Sequence, residues 1–134
     1  MFTSEVKIRV RYGETDQMGY VYYGNYAEYF EVARVEALRE LGMNYKEMEE
    51  NGIMLPVYTL GIKYIQPARY DDMLTIKTSI KEIPKARITF LHEIYNEKPE
   101  LLNTGEVTLV FINTKSKKPI GAPENFLKKI RKYY

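Results

Sequence analysis

A glycine-rich loop near the N-terminus carries the residues of this sequence that are best suited to chemistry. Asp16 stands among Gly13, Gly19 and Gly24, and glycine allows sharp or left-handed backbone. An aspartate in such a loop can act as a nucleophile or general base, or it can simply cap a turn. The loop opens the stretch of residues 12–41, which continues as one amphipathic helix, and we interpret it as the candidate active site.

Composition narrows the chemistry that is available. The 134 residues include no cysteine and a single histidine, which excludes thiolate or histidine-rich metal sites and disfavours a Ser-His-Asp triad. We therefore predict neither a metal nor a cofactor, and reactions carried by carboxylates, hydroxyls or backbone groups. The net charge of +2 is too small to favour a nucleic-acid partner.

Hydropathy bears on where the protein works. The first twelve residues are charged at alternate positions, and no apolar run approaches the length that spans a bilayer. We predict a soluble cytoplasmic protein without membrane insertion. Thirteen tyrosines with no tryptophan suit a hydrated pocket or a subunit interface, because the ring is apolar and its hydroxyl is polar.

Two elements must position the loop. Alternation over residues 5–12, with Val6, Ile8, Val10 and Tyr12 on one face, predicts a half-buried strand before it. After the loop, Asn25 followed by Glu28 resembles a capping box and predicts a helix that ends near residues 41–42, although Asn25 could instead be an ordinary turn residue. The apolar stripe of this helix predicts one broad packed face, formed by Tyr26, Tyr29, Phe30, Ala33, Ala37 and Leu41.

The remaining chain predicts mainly strands. A short helix over residues 44–51 precedes alternating patterns at 58–64, 74–80 and 88–94, then an apolar run at 105–112 and a basic helix at 124–134. Short turns join the strands, which favours an antiparallel sheet with the long helix on one face. We predict one α+β domain over residues 1–134.

Two motifs within these elements resemble those of a known family. The first comprises Arg11-Tyr12, Thr15-Asp16, Gly19, Tyr22-Tyr23, Asn25-Tyr26 and Ala33-Arg34, and the second comprises Ile62-Lys63-Tyr64, Pro67-Ala68, Tyr70-Asp71-Asp72 and Leu74. Together they resemble the hotdog-fold acyl-CoA thioesterases, of the 4-hydroxybenzoyl-CoA thioesterase type and the related Tol-Pal-associated thioesterases. The resemblance covers nearly the whole chain and is weakest after Lys115.

The resemblance implies an architecture and an assembly. The family's hotdog fold is a curved antiparallel sheet wrapped around one long central helix. Such enzymes assemble as homodimers or homotetramers, with active sites at the dimer interface. The implied substrate is an acyl-CoA, which would be hydrolysed to a carboxylic acid and CoA.

The resemblance also implies catalytic roles. Asp16 matches the family's catalytic carboxylate, and Tyr23 matches the position whose backbone N–H meets the thioester oxygen. The Tol-Pal-associated enzymes generally have histidine at the Tyr23 position, so a histidine-assisted mechanism is not expected. A helix N-terminus presents unpaired N–H groups to a developing oxyanion. Whether Asp16 attacks the carbonyl carbon or activates water stays open.

Substrate-binding residues follow from position and residue type. Most tyrosines are expected to pack within the fold, but Tyr58 and Tyr64 could line an acyl pocket. Lys85 and Arg87 lie where the resemblance implies that the nucleotide end of CoA binds, and their positive charge could hold its phosphates. Basic residues at turns are also commonly just solvated.

Several rival interpretations stay open. Glu31 and Glu36 on the helix are alternative carboxylates, whereas Asp71 and Asp72 fit a structural turn. His92 alternates with apolar residues, which favours a packed role. The protein could instead be a non-catalytic acyl-CoA-binding module, or a thioesterase acting on acyl carrier protein.

Overall fold

A five-stranded antiparallel sheet is the main element of the fold. The computed structural model describes residues 1–134. The strands of the sheet are β1 Phe2–Arg9, β3 Val57–Tyr64, β4 Met73–Ile80, β5 Arg87–Tyr95 and β6 Leu101–Val110. They lie in the order β1-β4-β5-β6-β3, and all neighbouring strands are antiparallel. A separate pair joins two short strands that the sequence did not predict, β2 Ile53–Met54 and β7 Ile112–Asn113.

Three α-helices accompany the sheet: α1 Asn25–Glu40, α2 Tyr45–Glu50 and α3 Glu124–Ile130. The α1 stripe is buried as predicted, with Phe30 and Ala37 at 0% exposure. The Phe30 ring stacks on the ring of His92 in β5, with centroids 4.8 Å apart. None of the helices combines the length and apolar character needed to cross a membrane.

The α+β class and the antiparallel sheet are confirmed. The prediction of one long central helix is confirmed only in part. The helices have 16, 6 and 7 residues, so the chain contains short helices beside α1. The four strands predicted after α1 are present as β3 to β6. The last of them begins at Leu101 rather than Gly105.

Two predictions for the elements beside the loop are wrong: where the first strand ends, and how α1 is capped. The first strand ends at Arg9, and Tyr12 is 78% exposed in a 3-10 turn because the chain leaves the sheet there. The predicted capping box at Asn25 is absent. Gly24 occupies the N-cap position without a side-chain cap, and Asn25 is the first helical residue. Its side-chain amide instead donates to the carbonyl oxygen of Glu14 at 2.8 Å.

Candidate active site

The carboxylate of Asp16 caps a tight turn with one of its oxygens. Oδ1 accepts hydrogen bonds from the backbone N–H of Met18 at 2.9 Å and of Tyr20 at 3.3 Å. Gly19 completes the turn at φ +80°, a conformation that glycine adopts without strain. Oδ2 makes no hydrogen bond or ion pair within the protein. One carboxylate oxygen is thus fixed and the other is free to react.

A cleft of about 280 Å³ lies beside Asp16. Its walls are mostly apolar, which suits an acyl group. Two sequence-predicted residues, Tyr23 and Tyr64, line it together with Asp16. The other lining residues are Met18, Tyr20, Val21, Tyr26, Ile65, Gln66 and Pro67.

The N-terminus of α1 borders the same cleft. The backbone N–H groups of Tyr23 and Gly24 have no hydrogen-bond partner within the protein. The hydroxyl of Tyr64 donates to the carbonyl oxygen of Tyr23 at 3.3 Å, which links the helix entry to the end of β3. Free N–H groups at the positive end of a helix dipole stabilise negative charge.

Tyr26 joins the cleft to the loop that follows β3. Its hydroxyl accepts a hydrogen bond from the backbone N–H of Ala68 at 3.2 Å, and its ring packs edge-on against Tyr64. Burial, above all, raises the pKa of Tyr26, and the negative charges of Asp72 and Asp16 add to the shift. The phenol of Tyr26 therefore keeps its proton. Its hydrogen bond with Ala68 and its ring contact with Tyr64 hold it in place as a wall of the cleft.

Sequence reasoning missed Glu14. Its carboxylate accepts hydrogen bonds from the backbone N–H of Arg11 at 2.8 Å and from the hydroxyl of Tyr29 at 2.9 Å. Burial alone would raise the pKa of Glu14, but these bonds and the charge of Arg11 outweigh it and hold the pKa below its ordinary value. Two features of the sequence could have identified Glu14. It is an acidic residue two positions before Asp16, and Tyr29 lies on the predicted buried stripe of the helix.

Three predicted substrate-binding residues lie away from the cleft. The guanidinium of Arg87 sits 4.4 Å from the centroid of the Tyr58 ring, a cation-π contact. Lys85 and Arg87 border a depression of about 690 Å³. Because Arg87 alternates with buried Ile88 along β5, this depression lies on the sheet face turned away from α1. Within the chain these residues are therefore separate from the cleft at Asp16.

The rival carboxylates have other surroundings. Glu31 and Glu36 are exposed on α1, and Glu36 forms an ion pair with Arg39 at 3.6 Å. Asp72 accepts a hydrogen bond from the backbone N–H of Arg69 at 2.9 Å within the turn before β4. None of these carboxylates lines the cleft.

The sequence profile of the thioesterase-like superfamily matches residues 10–130 of the chain. The chain belongs to this superfamily. YbgC of Escherichia coli, an acyl-CoA thioester hydrolase, is 32% identical over 120 residues, which cover 90% of each chain. YneP of Bacillus subtilis is 35% identical over 120 residues, covering 90% of this chain and 87% of YneP.

Solved structures of thioesterases share the fold of this superfamily member. A DHNA-CoA thioesterase from Staphylococcus aureus superimposes with a TM-score of 0.94 at 37% identity, covering 99% of this chain and 91% of that one. The family prediction made from the loop and turn motifs is confirmed.

Proposed function

We propose that the protein hydrolyses an acyl-CoA thioester to a carboxylic acid and free CoA. The observation that carries this proposal is the pairing of a free carboxylate oxygen on Asp16 with the unpartnered N–H group of Tyr23, since both residues line one apolar cleft. The names of YbgC and of the staphylococcal DHNA-CoA thioesterase support the choice of substrate class.

Chemistry at the cleft follows from this arrangement. The thioester carbonyl carbon is attacked either by Oδ2 of Asp16 or by a water that Asp16 deprotonates. Negative charge then builds on the carbonyl oxygen, where the Tyr23 N–H and the α1 dipole stabilise it. Collapse of the intermediate breaks the carbon–sulfur bond and releases the CoA thiolate. In the direct-attack route, water then hydrolyses the resulting anhydride and restores the aspartate.

The acyl group and the phosphates of the substrate are assigned to two surfaces by the polarity and charge of those surfaces. The acyl group enters the cleft beside Tyr64. The phosphates of CoA are held by Lys85 and Arg87, and Tyr58 contributes to the same surface through its contact with Arg87. Because these residues lie away from the Asp16 cleft of their own protomer, one CoA would reach both surfaces only across a subunit interface.

Assembly is therefore part of the proposal. Residues 1–134 form a single hotdog domain whose sheet curves around α1, and two copies pair as a homodimer or associate further into a homotetramer. Support comes from β3, an edge strand of the sheet whose apolar residues Val57, Leu60 and Tyr64 are 45–51% exposed. A second copy would cover this edge.

Asp16→Asn tests the function. Asparagine retains Oδ1, so it can accept the same bonds from Met18 and Tyr20 and keep the turn, while the negative charge is lost. We expect thiol release from a panel of short, long and aromatic acyl-CoAs to fall at least about a hundredfold.

Asp71→Asn is the matched control. Asp71 is also a turn aspartate, but it does not line the cleft, and asparagine tolerates its φ of +67°. Its activity should stay within about twofold of the wild type. Wild-type protein that binds acyl-CoA without releasing thiol would indicate a binding module. Full activity in Asp16→Asn would remove the catalytic role of this carboxylate.

A further inference from the structure

Glu14 is the point at which the Asp16 loop and helix α1 are joined. Its side chain is 13% exposed, and both carboxylate oxygens are used. Oε1 accepts from the Arg11 backbone N–H at 2.8 Å and from the Tyr29 hydroxyl at 2.9 Å. Oε2 accepts from Nη2 of Arg11 at 3.0 Å and from its Nε at 3.3 Å. Tyr29 is 3% exposed on the buried face of α1.

The main chain of Glu14 makes a second pair of links to the helix entry. Its carbonyl oxygen accepts hydrogen bonds from the backbone N–H of Tyr22 at 2.9 Å and from Nδ2 of Asn25 at 2.8 Å. Tyr22 directly precedes Tyr23, and Glu14 lies two residues before Asp16. Asp16 and the helix entry at Tyr23 are therefore both tied to one residue, which precedes them in the chain.

Electrostatics makes this junction strong. The pKa of Glu14 is held below its ordinary value, so the carboxylate is ionised at neutral pH. Burial and the bond to Glu14 raise the pKa of Tyr29, so the phenol keeps its proton. The Tyr29 hydroxyl is thus a fixed donor to a charged acceptor, and charge-assisted bonds are stronger and shorter than neutral ones. The bond joins positions 15 residues apart in sequence.

We propose that Glu14, held by Tyr29, is a positioning residue that sets the placement of the Asp16 carboxylate relative to the Tyr23 N–H. This inference rests on the proposed thioesterase function. Glu14 itself lies outside the residues that line the cleft, so it acts through the loop and not on the substrate. Small misplacements of reacting groups are costly, because the rate depends steeply on their alignment.

Glu14→Gln and Tyr29→Phe are the variants that test the inference. Glutamine keeps one carbonyl acceptor but cannot accept from both Arg11 and Tyr29 with full charge. We expect kcat to fall about tenfold in Glu14→Gln and about threefold in Tyr29→Phe, with KM within twofold of the wild type. The double variant should be no slower than Glu14→Gln alone, because both changes remove the same link.

Matched controls separate positioning from general weakening of the fold. Glu40→Gln alters another helix carboxylate that is hydrogen-bonded to a strand, through Ser4 Oγ at 2.6 Å. Tyr45→Phe removes a buried tyrosine hydroxyl that has no hydrogen-bond partner. Both controls should keep kcat within twofold of the wild type.

Amide hydrogen exchange supplies a readout that does not depend on activity. Exchange at the hydrogen-bonded amides within residues 16–22 should accelerate at least about tenfold in Glu14→Gln and stay unchanged in Glu40→Gln. An active wild type with unchanged kcat in Glu14→Gln, or with unchanged loop exchange, would overturn the inference. Multiplying losses in the double variant would also overturn it. An inactive wild type would instead refute the proposed function.

Discussion

At the scale of single residues, His92 shows how burial removes a group from acid–base chemistry. It is 1% exposed, and its Nδ1 lies 2.9 Å from Oγ1 of Thr78. The ring stacks on Phe30, while Nε2 has no partner. Burial, with a smaller contribution from the positive charge of Arg34, lowers the pKa of His92 to about 3. The packed role expected from its place in the strand pattern agrees with these surroundings.

Because the chain has one histidine, the protonation of His92 can be followed by NMR without assigning the spectrum. We expect the ring resonances of His92 to stay fixed between about pH 8 and pH 5 in NMR spectra, whereas an ordinary histidine titrates near 6.5. The folded pKa is depressed, so the unfolded chain binds the proton first. The free energy of unfolding should therefore fall as pH drops below about 6.5 and continue falling towards 3.

His92→Gln provides the comparison for stability. This variant should lose the part of the pH slope that belongs to the histidine, measured by urea unfolding at pH 7 and pH 5. Ring signals that titrate with a midpoint near 6.5 in the folded wild type would contradict the buried neutral histidine.

At the scale of elements, the close approach of α1 to the sheet depends on a glycine. Gly105 lies in β6 beside His92 of β5. A Cβ built on Gly105 would fall 2.4 Å from the Phe30 ring. Phe30 is 0% exposed, so the ring has little room to yield. The same helix carries the Tyr23 entry at its start, and this packing therefore contributes to how firmly the site is held.

Gly105→Ala should destabilise the protein by about 1–3 kcal/mol, because the extra methyl overpacks the interface of α1 and the sheet. Urea unfolding at neutral pH measures the change. Gly121→Ala is the control, since Gly121 lies outside the sheet and a Cβ there would meet nothing within 4 Å. Equal free energies of unfolding for the two variants would show that the Phe30 ring moves away from the added methyl group without cost.

At the scale of the whole molecule, edge strand β3 exposes several apolar side chains. All residues of this strand are exposed except Ile62, which is partly buried. The other edge of the sheet, β1, carries buried residues at Phe2 and Ser4. Long exposed edges with apolar side chains favour pairing with another chain. The proposed homodimer would cover β3 and bring a second copy close to the cleft at Tyr64.

Leu60→Arg should convert the assembled protein into monomers and lower thiol release at least about tenfold, because a charge would be buried in the interface. Light scattering after size-exclusion chromatography measures the mass. Val32→Arg replaces an exposed apolar residue on α1 and should leave the mass unchanged. A Leu60→Arg protein with the mass and activity of the wild type would rule out β3 as the interface.

Local patterns in the sequence predicted the elements but not their ends. Period-two alternation predicted β4 and β5, since one face of each strand packs inward. It also predicted β3, although only Ile62 of that strand is partly buried. The alternation wrongly extended the first strand to Tyr12. The chain leaves the sheet earlier because the backbone of Val10 forms hydrogen bonds with residues 71–72, which the local pattern does not contain. Asn25 failed as a cap for a similar reason: its amide finds the carbonyl of Glu14, a partner that only the folded loop supplies.

The candidate site was predictable to the same degree. The glycine-flanked Asp16 and the helix entry at Tyr23 are neighbours in sequence, so the motif alone brought them together. The link between Glu14 and Tyr29 spans 15 positions and depends on how the loop folds onto α1. The pairing of Tyr58 with Arg87 depends on strand register and on the irregularity between Val57 and Thr59, which composition does not specify.

The turn at Asp16 also has an entropic consequence. Because Oδ1 is bound to two backbone N–H groups, the carboxylate cannot rotate freely about its last side-chain torsion. The cost of ordering that rotor, a fraction of the roughly 0–2 kcal/mol of side-chain entropy, is therefore met when the chain folds and not at each turnover. In the proposed mechanism, the substrate therefore binds beside a carboxylate whose orientation is already fixed by the folded loop.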